Sequence, residues 1–144
     1  AAVGNFGSDG LKQYPADESF VLAVAALDDR GVKAPFSNFG SLVDVAAPGG
    51  NAPEAVIMSA FLDNTDGVAF IGMSGTSMAT PIVSGVTALV LSANPTLSVK
   101  EVKRILMTSG PTAAGLEKLI QSGRYVDALS AVQAAKPLAV TTIH

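Results

Sequence analysis

The sequence has no cysteine, a single histidine and only 15% charged residues among its 144 positions. The missing thiols exclude disulfides and thiolate metal sites, but leave the compartment open, since many exported chains also lack cysteine. Charge this far below the roughly 25% usual for soluble globular proteins, with a mean hydropathy of +0.43, leaves apolar surface that something must cover. Basic residues are sparse and unclustered, and the net charge is −3. Lys100, Lys103 and Arg104 beside Glu101 read as the solvated face of one short helix, so no nucleic acid partner is expected. The stretch from Ile82 to Ala93 is interrupted by Ser84, Gly85, Thr87 and Ser92. It falls short of the roughly 18 continuous apolar residues of a membrane span and reads as a buried helix, with no membrane partner. At Ala1 no charged segment leads into an apolar one, so no signal peptide is read there. What remains is a chain 49% apolar, without internal repeats, long enough for one domain with a real core.

Along the chain, Phe20 to Leu27 is apolar without helical periodicity and closes at Asp28-Asp29-Arg30-Gly31, which predicts a strand buried on both faces. Val43 to Ala46, Ala55 to Ala60 and Val68 to Met73 predict three more strands, with a turn at Asp63-Asn64-Thr65-Asp66-Gly67 before the last. From Thr76 to Ala93, Met78, Ile82, Val83, Val86, Leu89, Val90 and Ala93 predict a helix apolar on most of its circumference, hence central and buried. Ser98-Val99-Lys100-Glu101 is a capping box opening a second helix, with Val102, Ile105 and Leu106 inward and its end near Gly110-Pro111. A third helix is predicted from Val126 to Ala135, closed by Pro137. Strands followed by helices make the chain α/β.

The segment Gly72-Met73-Ser74-Gly75-Thr76-Ser77-Met78-Ala79-Thr80-Pro81 sits at the strand-to-helix junction and holds two candidate nucleophiles. Thr76 stands where the hydrolase elbow Gly-x-Ser-x-Gly needs glycine, which disfavours Ser74. Ser77 starts the helix, where free N–H groups and the helix dipole favour negative charge. Gly75 permits the sharp turn, and Pro81 removes the hydrogen bond to the Ser77 carbonyl and predicts a bend there.

Gly75-Thr76-Ser77-Met78-Ala79-Thr80-Pro81 resembles the nucleophile motif of the subtilisin-like serine proteases. Ala1-Ala2-Val3-Gly4-Asn5, Tyr14-Pro15, Phe20 to Asp28, Pro35-Phe36-Ser37-Asn38-Phe39-Gly40, Val43 to Gly49 and Gly123 to Ala128 follow in that family's order, so the resemblance spans about residues 1 to 135. It implies the C-terminal half of a three-layer α/β fold with a mostly parallel sheet and packed helices, in residues 1 to 136, then a tail over 137 to 144. It implies a secreted endopeptidase acting on polypeptide substrates. Ser77 would be the nucleophile, and Asn5 would donate to the developing oxyanion beside the Ser77 N–H. Ala2, Gly4, Gln13, Gly75 and Met78 would contact substrate, Gln13 making a shallower pocket than glycine, and oxidation of Met78 would interfere with catalysis. The family also suggests a cis bond at Tyr14-Pro15. Ile82 stands where histidine is common.

A serine needs a histidine to take its proton and a carboxylate to orient that histidine. The family draws these from Asp-Thr-Gly and His-Gly-Thr-His, and neither occurs here. His144 lies beyond the last helix, and Asp44 and Asp127 fall in segments the family uses structurally. The expectation is therefore a half-domain whose missing N-terminal half supplies both groups and covers the apolar faces. Alternatively it is a non-catalytic fragment or pseudoprotease acting in assembly, with homodimerisation through those faces. No cofactor is required by this reading. A structural calcium ion is conceivable in the full domain. Asp44, with carbonyls near Ala16 and Glu18, resembles a weak cation site of some members, but a solvated or turn-capping carboxylate is the expected role.

Overall fold

A computed structural model describes residues 1–10, 13–53, 55–62 and 67–136; residues 63–66 of the expected turn over 63–67, Pro137, His144 and the tail lie outside them. The first apolar run becomes strand β1 (Val24–Leu27), all of it buried. It pairs in parallel with β2 (Val45–Pro48), Val24 opposite Val45 and Leu27 opposite Pro48. Both strands start later than their apolar patterns suggest. Phe20 is 71% exposed, because Val21 donates back to the Glu18 carbonyl in a turn that delays the strand. Ala2 adds a parallel bridge to Val24 on the other side of β1.

Alternation along β1 splits its side chains between two cores, as the period of two in a strand requires. Val24 and Ala26 join Val45 and Ala47 under the helices, whereas Ala23, Ala25 and Leu27 face Val3, Val43, Leu116 and Ile120. The strand is thus buried on both faces, as its sequence predicts. The second layer of cover includes a short 3₁₀ turn, Leu116–Lys118, which has no clear signal in the sequence.

β3 (Ile57–Leu62) and β4 (Val68–Met73) form an antiparallel hairpin, Ile57 opposite Met73. The last strand has its predicted bounds, and β3 starts two residues late. Helix α1 (Thr76–Ala93) also matches its prediction and runs unbroken through Pro81. Its burial differs. Only the stripe Thr76, Ala79, Val83, Val86, Val90 is buried, while Leu89 and Leu91 are 51% and 38% exposed. Among the described residues α1 alone is long and apolar enough to cross a membrane by length and composition, yet that stripe packs into the core beneath β1 and β2.

α2 (Val99–Ser109) begins at the predicted capping box. The Ser98 hydroxyl accepts from the Glu101 N–H while the Glu101 carboxylate accepts from the Ser98 N–H at 2.7 Å. α3 (Ala128–Ala135) starts two residues late, because Asp127 caps it by accepting from the Ser130 N–H at 2.7 Å. Hydrogen bonds from Ser130 hold that carboxyl below the usual range.

Two expectations about charge are corrected. Asp44 is 3% exposed, neither solvated nor a turn cap. It accepts from the Ala23 N–H and pairs with Lys103 Nζ, both at 2.8 Å. Lys103 therefore leaves the solvated face of α2 and turns inward, because a buried carboxylate is tolerated only with a partner.

Candidate active site

Strand β2 runs into Gly49, whose carbonyl accepts from the Gly75 N–H at 2.8 Å, so the start of α1 is tied to the end of the parallel pair. Gly75 is the N-cap with φ +157° and contributes no side chain; that backbone region is open almost only to glycine. The first turn of α1 carries no acidic residue. Its orphan donors are shared out in an instructive way. Met78 and Ala79 donate back to the Gly75 carbonyl, and Thr76 donates to the Asn5 side chain. The Ser77 N–H has no acceptor among the described residues, and Ser77 itself is exposed.

Asn5 reaches this helix end from a distant part of the chain. Its Oδ1 accepts from both the Thr76 N–H and the Thr76 hydroxyl, each at 2.9 Å, and the Thr76 Oγ1 accepts from the Gly4 N–H at 3.3 Å. Because Oδ1 is engaged twice, the rotation of the amide is fixed and Nδ2 is left as a free donor next to the helix terminus. Two N–H donors at a helix N-terminus, with positive dipole and no competing carboxylate, suit a developing negative charge on oxygen.

The loop carrying Asn5 is held from behind by Asn38, 2% exposed. Asn38 Nδ2 donates to the Val3 carbonyl at 2.8 Å, and its Oδ1 accepts from the N–H groups of Phe6 and Ser8. Gly4, at φ +96°, has no room for a side chain: a Cβ would lie 2.7 Å from Asn38 Nδ2 and 3.1 Å from Gln13 Cγ. Gln13 thus lies against Gly4. Tyr14–Pro15 is cis, as expected. Met78 is half-buried, and a Cβ on Gly75 would lie 3.6 Å from its sulfur and 3.5 Å from Asn5 Nδ2. Ala2 pairs with Val24, setting where the chain leaves the sheet toward Asn5.

The structure therefore gathers Asn5, Gly75, Ser77 and Met78 at one end of α1, with Gly4 and Gln13 behind Asn5. Sequence reasoning overlooked Thr76 and Asn38. Threonine at the first helical position is unremarkable, and nothing local distinguishes a buried asparagine from one in a turn. Ser74, the other candidate nucleophile, has its Oγ occupied, accepting from the Ala52 N–H at 2.9 Å and donating to the Ala55 carbonyl at 3.1 Å.

The cation suggested for Asp44 does not fit. The carboxylate that would bind it already holds the Lys103 ammonium at 2.8 Å, and the carbonyls of Ser19 and Val21 accept from the same nitrogen at 3.2 and 2.7 Å.

Residues 1–129 match the model of the Subtilase family. Halolysin of Haloferax mediterranei is 39% identical over 132 residues, 92% of this chain and 23% of that protein. The Halolysin-like extracellular serine protease Nep of Natrialba magadii is 43% identical over 103 residues, 72% of this chain and 17% of that one. A protease structure from Pseudoalteromonas arctica superposes with a TM-score of 0.83 at 32% identity, over 94% of this chain and 42% of that one. The chain spans less than half the length of each.

Proposed function

We propose, because this chain belongs to the subtilase family, that it carries the nucleophile and the oxyanion-binding donors of an extracytoplasmic serine endopeptidase. The observation that carries the reading is the double hydrogen bond from Thr76 to Asn5 Oδ1, which leaves Nδ2 free beside the unpaired N–H of Ser77.

In this reading the Ser77 Oγ attacks the scissile carbonyl carbon and gives its proton to an imidazole. The carbonyl oxygen becomes an oxyanion held by Asn5 Nδ2 and the Ser77 N–H. Collapse re-forms the carbonyl and expels the amine, which takes the proton from the imidazolium; water then releases the acid by the same route. Removing one oxyanion donor costs roughly 10²–10³ in turnover. Gly4 and Gln13, with Ala2, would border the side chain preceding the cut, and Met78 would flank the nucleophile. The histidine and its carboxylate come, on this reading, from a polypeptide segment bearing the family's Asp-Thr-Gly and His-Gly-Thr-His motifs, docked along the apolar faces this chain leaves open.

A fluorophosphonate probe tests it. The chain is treated alone and after co-expression with the motif-bearing N-terminal segment of a related subtilase, and the modified residue is found by peptide mass spectrometry. Labelling should fall on Ser77 only in the complex, vanish in S77A, and slow by about 10²–10³ in N5A. A complex that co-purifies and melts cooperatively yet does not label overturns the proposal. It would favour the non-catalytic assembly reading, which the exposed Phe61, Leu62, Val68 and Phe70 of the hairpin support.

A further inference from the structure

We propose that Lys103 is a built-in cation: its ammonium fills an oxygen cage that would otherwise take a metal ion, and removing it opens that cage to a cation of similar size. The cage consists of Asp44 Oδ2 at 2.8 Å and the carbonyls of Val21 and Ser19 at 2.7 and 3.2 Å from Nζ. One carboxylate and two carbonyls are the donor set hard cations prefer. An ammonium head is also a compact point charge, able to stand in such a set as a potassium ion would.

The cage is built rather than incidental. Asp44 is 3% exposed and follows the buried Val43 into β2. Lys103 is delivered from α2, whose Val102, Ile105 and Leu106 are locked into the core, so its stem starts from a fixed point. The segment supplying the carbonyls is a run of turns, with Asp17 bonded to Gln13, Glu18 to Pro15 and Val21 to Glu18. Such a segment has no ladder of its own, and the ammonium bonds its carbonyls to α2 and β2 beside the packing of Leu22 on the core.

The surroundings say what would enter if the amine left. A cavity of about 360 Å³ beside it is lined by Asp17, Glu18, Ser19, Ser41, Asp44 and Lys103, among others. Asp17 Oδ1 is buried there without a partner among the described residues. Without Lys103, three carboxylates face the cavity, and the N-terminal ammonium of Ala1, which also acts on Asp44, is not among the residues that line it. The tether replaces a dissociable ion with a covalent one, so this part of the fold does not depend on the cation content of the medium.

Thermal unfolding of the full chain tests this, with choline chloride matching ionic strength. The wild-type Tm should not respond to EDTA, KCl or CaCl₂. K103A removes the side-chain ammonium paired with the buried Asp44 carboxylate and leaves only the more distant N-terminal ammonium of Ala1 acting on it, so its Tm should fall by about 10 °C and recover saturably with KCl or CaCl₂. K103M should fall without recovering, because its side chain still occupies the cage. A saturable rise of the wild-type Tm with either salt, or a K103A variant that responds to them no more than to choline, overturns the proposal. Should both variants fail to fold, trace acetylation of the wild-type chain decides it. Lys103 should react at least about tenfold more slowly than the exposed Lys100 on the same helix, and equal rates reject the cage.

Discussion

Val24, Ala25, Ala26 and Leu27 in the parallel pair are 0–2% exposed, whereas in the hairpin Phe70 is 73% and Leu62 79% exposed. Both regions are apolar, and the one with larger side chains is the one in solvent. Small side chains let α1 approach one face of β1 while the segment around Leu116 closes the other, and close packing on two sides excludes water. The hairpin pairs only with itself, and two strands make no core on their own. Burial here follows from what is packed above a strand, while the hydrophobicity of the strand only makes it possible.

The comparison can be broken most forcefully at Ala26, which has no exposed surface. An unpaired carboxylate there, in A26D, should destabilise the chain by about 3–5 kcal/mol; a urea midpoint close to wild type would show that the parallel pair is not the core.

Asp28, at the end of β1, separates the regions by pH. Burial alone would raise its pKa, but hydrogen bonds from the Val32 N–H, the Arg30 side chain and the Arg30 N–H outweigh burial and hold it below the usual range. The folded chain then binds this proton less readily than the unfolded one. The contribution is complete above the ordinary carboxylate pKa of about 4 and is lost as pH falls through the lower folded value. D28A should cost about 1–3 kcal/mol at neutral pH and flatten the acid limb of stability. The described hairpin strands contain no titratable side chain, so hydrogen exchange of β3 and β4 should not share that acid dependence.

A smaller effect is expected from S98A, which removes the cap of α2, whose buried face shares a core with the parallel pair. It should cost about 1 kcal/mol, visible as a lower Tm with unchanged hairpin exchange. The smallest belongs to F70S, within about 0.5 kcal/mol of wild type and with a larger soluble fraction. A loss comparable to that of A26D would mean the hairpin is packed in solution.

Much of this was legible from local pattern. Thr76 to Ala93 repeats its apolar residues at helical spacing, Ser98 and Glu101 satisfy each other three residues apart, and Val68 to Met73 is bracketed by a turn and a glycine. Where patterns misled, a distant partner intervened. Lys103 read as solvent-facing because its helix neighbours are charged, and Leu89 read as buried because the stripe beside it is. Ser77 is legible as an exposed serine at a helix start, but the donors around it depend on Thr76, which carries no local mark of its role.

Local residue pattern is enough to account for the helices, the strand character of the apolar runs and the glycine turn that opens α1, since each arises among neighbours a few positions apart. That Asn5 meets Thr76 across 71 residues, and Lys103 the Val21 carbonyl across 82, follows from the packing of the folded chain. Hydrogen-bond direction and charge compensation between distant segments are settled by how the layers pack, and periodicity contains no term for them.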